Sequence, residues 1–212
     1  MSVESGSSVE SGSSVESGSS VESGSSVASG SSVASDSWAH TVGLPDDLTA
    51  VKALVYDPCG FVCTAASVGG DNAQYGSVNF RLDGRDIVSR VAKLTPTKNG
   101  LFVAVWKREA DGATHPLDAA DRWDLLTISV REGDRFGQFV FSREVLREHG
   151  VVSAQGDGGK RGFRVYPPWV DVASHQAAAS QCWQVESFLE IDDGTAVDVA
   201  RARALYHVGS AS

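Results

Sequence analysis

Cysteine is scarce in this chain of 212 residues, which contains three. Cys59 and Cys63 lie four positions apart in PCGFVC and Cys182 stands alone, which excludes a framework of several disulfides. A single C-x-x-x-C without a second pair of cysteines or histidines at ligand spacing is a weak zinc signal. We therefore interpret the three residues as buried or surface thiols.

Long apolar runs are also missing. No segment approaches the roughly 20 residues that a membrane-spanning helix needs. The N-terminal sequence lacks the basic segment and the apolar segment of a secretory signal peptide. The sequence therefore predicts a soluble, cytoplasmic protein with no membrane partner.

Basic residues are absent from the first 37 positions. The chain there repeats a six-residue unit, SVESGS four times followed by SVASGS and SVASDS. Each unit offers one valine among small polar residues, which is too little apolar surface to offset the entropy of ordering the chain. Residues 1–37 are therefore predicted to form a disordered, low-complexity tail.

Positive charge is concentrated in one part of an acidic protein. The formal net charge is -9, and five acidic residues of the tail account for part of it, which leaves -4 for the rest. Between positions 80 and 108 only Asp83 and Asp86 are acidic, whereas seven residues are basic: Arg81, Arg85, Arg90, Lys93, Lys98, Lys107 and Arg108. This pattern predicts a local cationic surface, which matters more for partners than the net charge.

The apolar periodicity predicts an α+β fold with a mixed, largely antiparallel sheet flanked by helices. An opening helix is predicted at 44–55, and the Asp83–Gly84 dipeptide is a strong hairpin signal. The predicted strands are 75–82, 87–94 and 101–108 as three consecutive antiparallel strands, followed by 123–130, 136–142 and 163–169. Two further helices are predicted at 142–150 and 175–190, the first of them capped by Ser142.

Several catalytic motifs are excluded. The loop QGDGGKRG lacks the first glycine and the Ser/Thr of a phosphate-binding P-loop, because Ala154 and Arg161 occupy those places. No G-x-S-x-G sequence accompanies the five histidines. Asp118, Asp121 and Asp124 are spaced by three and could hold a divalent metal, but capping of a short turn is the favoured interpretation.

Two segments place cations beside aromatic residues. Trp106 precedes Lys107 and Arg108, and a second segment contains Lys160, Arg161, Arg164, Tyr166 and Trp169. Such pairs suit phosphates and stacked bases. Packing in the core is the ordinary role of a single tryptophan. The two segments together favour a shared face for an anionic ligand about as strongly as they favour core packing.

Five strings resemble the MepB family in the same order, from about Tyr75 to Leu189: FRL-x-G, RVAKLTPTKNGLFVAVWKR, GQFVFSREVLREHGVVS, GGKRGFRVYPPW and QAAASQCWQ. The resemblance implies a MepB-like domain over 38–190, followed by a C-terminal extension at 191–212. The motif positions that it transfers are Lys93, Thr95, Pro96, Lys98, Trp106, Lys107, Arg108, Gln138, Lys160, Arg161, Arg164, Tyr166, Pro168, Trp169, Trp183 and Gln184. The chain departs from the family pattern at Gln74, Ser89 and Leu101.

The resemblance implies a fold like the restriction-endonuclease core, and with it contact to DNA or RNA. The predicted binding residues are Lys93, Lys98, Trp106, Lys107, Arg108, Gln138, Lys160, Arg161, Arg164, Tyr166 and Trp169. If the protein is a nuclease, Asp124 with Lys107 or Lys93 is the predicted catalytic set, and a divalent metal such as Mg²⁺ is its cofactor. The alternative is a non-enzymatic accessory protein that binds a small anionic ligand.

Overall fold

The computed structural model describes Trp38 and residues 41–109, 111–191 and 194–207. The predicted tail at 1–37 lies outside these residues. All described residues fall in one unit, Ala34–Ser212. Within them, no helix combines the length and the apolar character needed to cross a membrane.

Helices are few and short. Helix α1 (Asp46–Val51) continues as a π-helical turn, Lys52–Tyr56, into α2 (Asp57–Cys59). This continuous helical stretch confirms the predicted opening helix. The others are α3 (Arg143–Glu148), α4 (His175–Gln184) and α5 (Val199–Tyr206). The Ser142 hydroxyl accepts a hydrogen bond from the Val145 N–H and caps α3, as predicted.

The main sheet has six strands in the order β1-β2-β3-β8-β9-β11. Its strands are β1 (Cys63–Val68), β2 (Val78–Leu82), β3 (Arg85–Val91), β8 (Leu125–Glu132), β9 (Arg135–Ser142) and β11 (Phe188–Ile191). Neighbours are antiparallel except for the central pair β3 and β8, which is parallel. The fold is thus mixed α+β with a largely antiparallel sheet, which confirms the predicted class.

Two small sheets lie outside the main sheet. One has the order β10-β5-β4, built from β4 (Lys93–Thr95), β5 (Lys98–Ala104) and β10 (Gly162–Val165). The other pairs β6 (Trp106–Arg108) with β7 (Thr114–Pro116). These small sheets carry five of the seven cations among the predicted binding residues: Lys93, Lys98, Lys107, Arg108 and Arg164.

Apolar residues pack on both faces of the main sheet, because side chains alternate along each strand. On β8, Leu125 belongs to the cluster with α1 and α5, whereas Leu126, Ile128 and Val130 belong to the cluster with β5 and β10. The second cluster joins the main sheet to the three-stranded sheet and therefore fixes where the cations of that sheet lie.

The prediction of three consecutive antiparallel strands at 75–108 is wrong beyond β3. The chain leaves the main sheet at Ala92, whose N–H donates to the Ser129 carbonyl, and β3 pairs with β8 rather than with β5. A second break at Val105, whose N–H donates to the Arg161 carbonyl, separates β5 from β6. Lys93 therefore lies opposite Phe102 on β5, and Lys107 lies opposite His115 on β7.

The predicted helix at 175–190 is too long. It ends at Gln184, and after a 3-10 turn the chain forms the edge strand β11 beside β9. Phe188 and Leu189 are buried in the two different clusters on opposite faces of the sheet. A strand can bury consecutive apolar residues on two faces in this way, whereas a helix would place them on one side.

Candidate functional site

A cleft of about 1170 Å³ collects several of the predicted binding residues. Its lining includes residues of β10, of helix α4 and of the start of β5, just after the turn that joins β4 to β5. The basic side chains that line it are those of Lys98, Lys160, Arg164, His149 and His175, and one carboxylate, that of Glu186, lines it among the described residues. The cleft thus concentrates positive charge on a protein whose net charge is negative.

Arg164 fixes the turn between β4 and β5, next to which Lys98 lies. Its guanidinium donates to the Thr95 hydroxyl at 2.7 Å and to the Gly100 carbonyl at 3.0 Å. It also reaches the carbonyls of Asn99 and Lys98, at 3.3 and 3.4 Å. Because its donors are used by the turn, Arg164 orders this side of the cleft and leaves the Lys98 ammonium exposed, with no ion pair among the described residues.

Lys160 follows a loop that Asp118 anchors. The Asp118 carboxylate accepts hydrogen bonds from the Ser153 hydroxyl at 2.6 Å and from the backbone N–H groups of Gly156 and Ala120, both at 2.8 Å. The Lys160 N–H then donates to the Val151 carbonyl. The side chain of Lys160 is exposed and forms no ion pair in the described part of the chain.

These contacts, first among them the Ser153 hydrogen bond, lower the pKa of Asp118 to about 2. The favoured interpretation of Asp118 as a residue that caps a turn agrees with this geometry. In the unfolded chain the pKa of an aspartate is about 3.9. The folded pKa is the lower of the two, so the stabilisation is complete above about pH 4 and is lost as the pH falls toward 2.

We expect Asp118→Asn to lower the thermal unfolding midpoint at pH 7 by several degrees, because an amide cannot accept as many charge-assisted hydrogen bonds. The midpoint of the variant should also fall less between pH 4 and pH 2 than that of the wild type. Circular dichroism melts over this range measure both effects. Asp157→Asn, in the same loop, is the matched control and should keep the wild-type profile; equal profiles for all three proteins would contradict the prediction.

Helix α4 closes the open edge of β10 through one side chain. The buried Gln184 amide donates to the Arg164 carbonyl at 2.9 Å and accepts from the Tyr166 N–H at 2.8 Å. These two bonds satisfy backbone groups at this edge of β10 that a neighbouring strand would otherwise pair with. Beside Gln184, Trp183 stacks on His149, with ring centroids 4.1 Å apart and planes at 10°. The motif residues Trp183 and Gln184 thus hold the wall of the cleft.

Lys107 and Arg108 are placed elsewhere and are paired with carboxylates. The Lys107 ammonium lies 2.6 Å from Asp121 and 3.1 Å from Glu109, and the hydrogen bond that it donates to Asp121 raises the pKa of Lys107. Arg108 bonds to Asp71 at 3.1 Å. Neither residue lines the cleft. Their charges are therefore largely neutralised, in contrast to those of Lys98 and Lys160.

The other predicted binding residues are dispersed. Gln138 is fully buried within the core, where no ligand at the surface can reach it. Trp169 donates to Glu132 at 2.9 Å and packs on Phe188, so it anchors the β8–β9 hairpin. The Arg161 side chain donates to the Thr114 carbonyl on β7.

Lys93 lines a different cavity, of about 530 Å³, together with Gln74, Arg131 and the start of α1. Trp106 is half-buried, and its carbonyl accepts a hydrogen bond from the Asn72 side chain. Tyr166, by contrast, lines the cleft. Four of the predicted binding residues therefore share the cleft: Lys98, Lys160, Arg164 and Tyr166.

The three residues of the predicted catalytic set have separate partners. Asp124 accepts from the Asp86 N–H at 2.8 Å and lies 3.9 Å from Arg143, at the start of β8. Lys93 follows the opposite end of β3, more than about 15 Å further along the ladder. Within the described residues there is no group of three or more His, Cys, Asp or Glu side chains that could hold a metal ion. Asp124, Lys107 and Lys93 therefore do not together form a Mg²⁺ centre.

Sequence reasoning missed part of the cleft. His149, His175 and Glu186 line it, but their positions carry no local signal, because a long loop and a 3-10 turn bring them there. Ser174 did offer a signal. Its hydroxyl accepts from the Ala177 N–H and begins α4 at the cleft, as a serine ahead of a helical segment suggests.

The comparisons with known proteins agree with this architecture. The sequence model of the MepB-like family matches residues 70–190, more than half of the chain. The chain belongs to the MepB-like family. A crystal structure of MepB is similar to it, with a TM-score of 0.60 and 29% identity over 69% of this chain and 97% of the MepB chain. No curated protein gives a significant match.

Proposed function

We propose that the protein binds nucleic acid, DNA or RNA, through the cleft, and that Lys98 and Lys160 contact the phosphate backbone. One observation carries the proposal: two exposed ammonium groups from distant parts of the chain, neither of them in an ion pair among the described residues, line the same cleft. Ammonium groups without carboxylate partners are available to neutralise phosphates, and this neutralisation releases the cations that were condensed on the nucleic acid.

The walls of the cleft support a polyanionic ligand. Arg164 and Gln184 order the turn and the strand that would contact the ligand. Binding should therefore cost the backbone of these segments little further conformational entropy. Tyr166 and His149 add flat surfaces on which bases can stack. With its volume of about 1170 Å³, the cleft lies slightly above the range of about 300–1000 Å³ that is common for small-molecule sites.

The fold resemblance implied by the family points to the same ligand class. Restriction-type endonuclease cores also use a mixed sheet, and the parallel β3–β8 pair at the centre of this sheet is in keeping with that likeness. The likeness supports binding only as an analogy. A cytoplasmic location, as expected from the sequence, would give the cleft access to nucleic acid.

Fluorescence anisotropy with labelled single-stranded DNA, single-stranded RNA and duplex DNA tests the proposal. At low salt we expect saturable binding that weakens as salt rises. The double variant Lys98→Ala/Lys160→Ala should bind at least about tenfold more weakly. For a single-stranded probe, the slope of log K against log salt should decrease in magnitude by roughly 1.4, since each lost phosphate contact accounts for about 0.7. Arg147→Ala removes an exposed charge from α3, outside the residues that line the cleft, and should bind as the wild type does.

Absence of binding to all three probes at low salt would refute the proposal, and so would equal losses in the double variant and in Arg147→Ala. A small anionic ligand is the second candidate, because the turn at Lys98 and the loop before Lys160 approach one cleft. Saturable binding of a mononucleotide that depends on Lys98 and Lys160, without binding of the oligonucleotides, would favour that candidate.

A further inference from the structure

The cavity of about 530 Å³ that Lys93 lines is separate from the cleft, and the two share no lining residue among the described ones. Its walls come from the start of α1, the end of β1, the loop before β2 and the end of β3, together with Lys93 and Arg131. Its volume falls within the range of about 300–1000 Å³ that is common for small-molecule sites. The cavity therefore has the size of a second binding site, which the cleft does not include.

Gly76 lies where two walls of this cavity meet. A Cβ added at Gly76 would lie 2.8 Å from Pro45 Cγ and 2.8 Å from Val91 Cγ2, so these two side chains flank the glycine. Asp46 follows Pro45 directly, and Lys93 comes two positions after Val91. The close approach at Gly76 therefore brings the segment that carries the Asp46 carboxylate near the segment that carries the Lys93 ammonium.

Four charged side chains of the described chain line the cavity, and two of them neutralise each other: Arg131 Nε lies 2.8 Å from Asp47 Oδ1. The other two, Asp46 and Lys93, are exposed and form no ion pair with any described residue. The Lys93 ammonium lies 5.7 Å from the centroid of the Tyr75 ring, a cation–π contact that orients the ammonium without neutralising it. The cavity thus offers one cation and one carboxylate to a ligand.

The rest of the lining combines a hydroxyl with an apolar wall. Ser77 lines the cavity and is 3% exposed, and its hydroxyl forms no hydrogen bond with another described residue. A polar group held this far from bulk water is stabilised by a hydrogen bond that a ligand supplies. Val68 is 45% exposed and adds apolar surface beside Pro45 and Val91. A mainly apolar lining with a few polar groups is typical of small-molecule sites.

We propose that this cavity binds a small zwitterion with an apolar side chain, either a free α-amino acid or a dipeptide. The carboxylate of the ligand pairs with Lys93, its ammonium pairs with Asp46, and its side chain packs against Val68. A ligand that fills the cavity removes water from both protein charges, and a ligand with two opposite charges compensates both. An anion would leave Asp46 without a partner, and a cation would leave Lys93 without one.

Isothermal titration calorimetry and thermal unfolding of the full chain test the site, with L-leucine as the amino acid and L-leucyl-L-leucine as the dipeptide. We expect saturable binding of at least one of them and a higher unfolding midpoint, because a ligand that binds the folded state stabilises it. The tighter ligand identifies the class. Its N-acetyl derivative, which lacks the ammonium, and its amide, which lacks the carboxylate, should each bind at least about tenfold more weakly. Absence of a response to both zwitterions would overturn the proposal.

Two exposed substitutions remove the protein charges one at a time. Lys93→Gln and Asp46→Asn should each weaken zwitterion binding at least about tenfold, because each leaves one charge of the ligand without a partner. Lys98→Gln, in the cleft, and Asp134→Asn, in the turn between β8 and β9, make the same changes outside the cavity and should bind the zwitterion as the wild type does. Wild-type affinity in either Lys93→Gln or Asp46→Asn would refute the site.

Lys93→Glu should produce a gain of binding, which a mere loss of structure cannot do. The cavity of this variant carries two carboxylates without a cation of their own, so leucinamide, a cation, should bind at least about threefold more tightly than it binds the wild type. Unchanged or weaker binding of leucinamide would contradict the proposed pairing. The Lys98→Ala/Lys160→Ala variant should keep its affinity for the zwitterion, because its changes lie in the cleft. Loss of that affinity would place the zwitterion in the cleft and refute the site at Lys93.

Discussion

Gly100→Ala is expected to destabilise the protein by about 3 kcal/mol or more, among the largest effects of any single methyl group in the molecule. Gly100 has a φ of +76°, a backbone conformation that costs alanine about 1 kcal/mol. Its new Cβ would lie 2.5 Å from Cδ1 of Tyr166 and 2.9 Å from the Val165 carbonyl oxygen. That carbonyl belongs to β10, which pairs with β5, so relief of the contact requires the two strands to separate.

Gly84→Ala is the matched control for this effect. Gly84 has a φ of +81°, and a Cβ added there meets nothing within 4 Å. Its substitution by alanine should therefore cost only the strain of a positive φ, about 1 kcal/mol of the free energy of unfolding. Urea denaturation of both variants measures the difference, which isolates the close approach of Tyr166 and β10 to the turn. Equal losses would show that Tyr166 and the strand move aside freely, and would argue against a rigid wall at this side of the cleft.

Features that depend on a few neighbouring residues could be predicted from the sequence. The Asp83–Gly84 turn forms as expected, with φ values of 49° and 81° at its two positions. The cap of α3 at Ser142 and the hairpin between β8 and β9 also follow from adjacent residues. In each case the chemistry that selects the structure is contained within a few positions of the chain.

Features that depend on distant partners could not be predicted in this way. The strand at 85–91 pairs in parallel with 125–132, and nothing in the alternation of its own side chains distinguishes that partner from β5. The breaks at Ala92 and Val105 are set by hydrogen bonds to Ser129 and Arg161. Such pairings depend on how the two apolar clusters pack on the faces of the sheet. That packing involves residues from many strands, so the sequence of one strand does not reveal its partner.

The same distinction applies to the cationic residues. At the level of the sequence, Lys98, Lys107, Lys160 and Arg164 are equivalent members of one predicted binding set. The structure separates them by their partners: Asp121 neutralises Lys107, and the backbone carbonyls of the turn occupy Arg164. Lys98 and Lys160 have no such partner among the described residues. Which cations are available to a ligand therefore depends on the carboxylates and carbonyls brought near by folding.

Gln138→Leu is the second change with a large expected effect, a loss of about 3–5 kcal/mol in the free energy of unfolding. The Gln138 side chain is fully buried, its Oε1 accepts hydrogen bonds from the hydroxyls of Tyr56 and Tyr206, and its Nε2 donates to Ser129 at 3.1 Å. Burial raises the pKa values of both tyrosines well above their usual range, so both are neutral donors under all native conditions. Leucine leaves two buried hydroxyls without their acceptor, and each costs about 1–3 kcal/mol.

The tyrosines themselves provide the control for this loss. In the Gln138→Leu background, Tyr56→Phe and Tyr206→Phe remove the hydroxyls that lack an acceptor, so the triple variant should be more stable than Gln138→Leu alone. Additive losses in urea denaturation would contradict a coupled network. Because Tyr206 lies on α5, with Ala202 and Leu205 also buried, the same coupling measures how firmly the region predicted as a C-terminal extension is held in the core. A strong coupling means that part of the domain's stability comes from residues beyond 190, although the family match ends there.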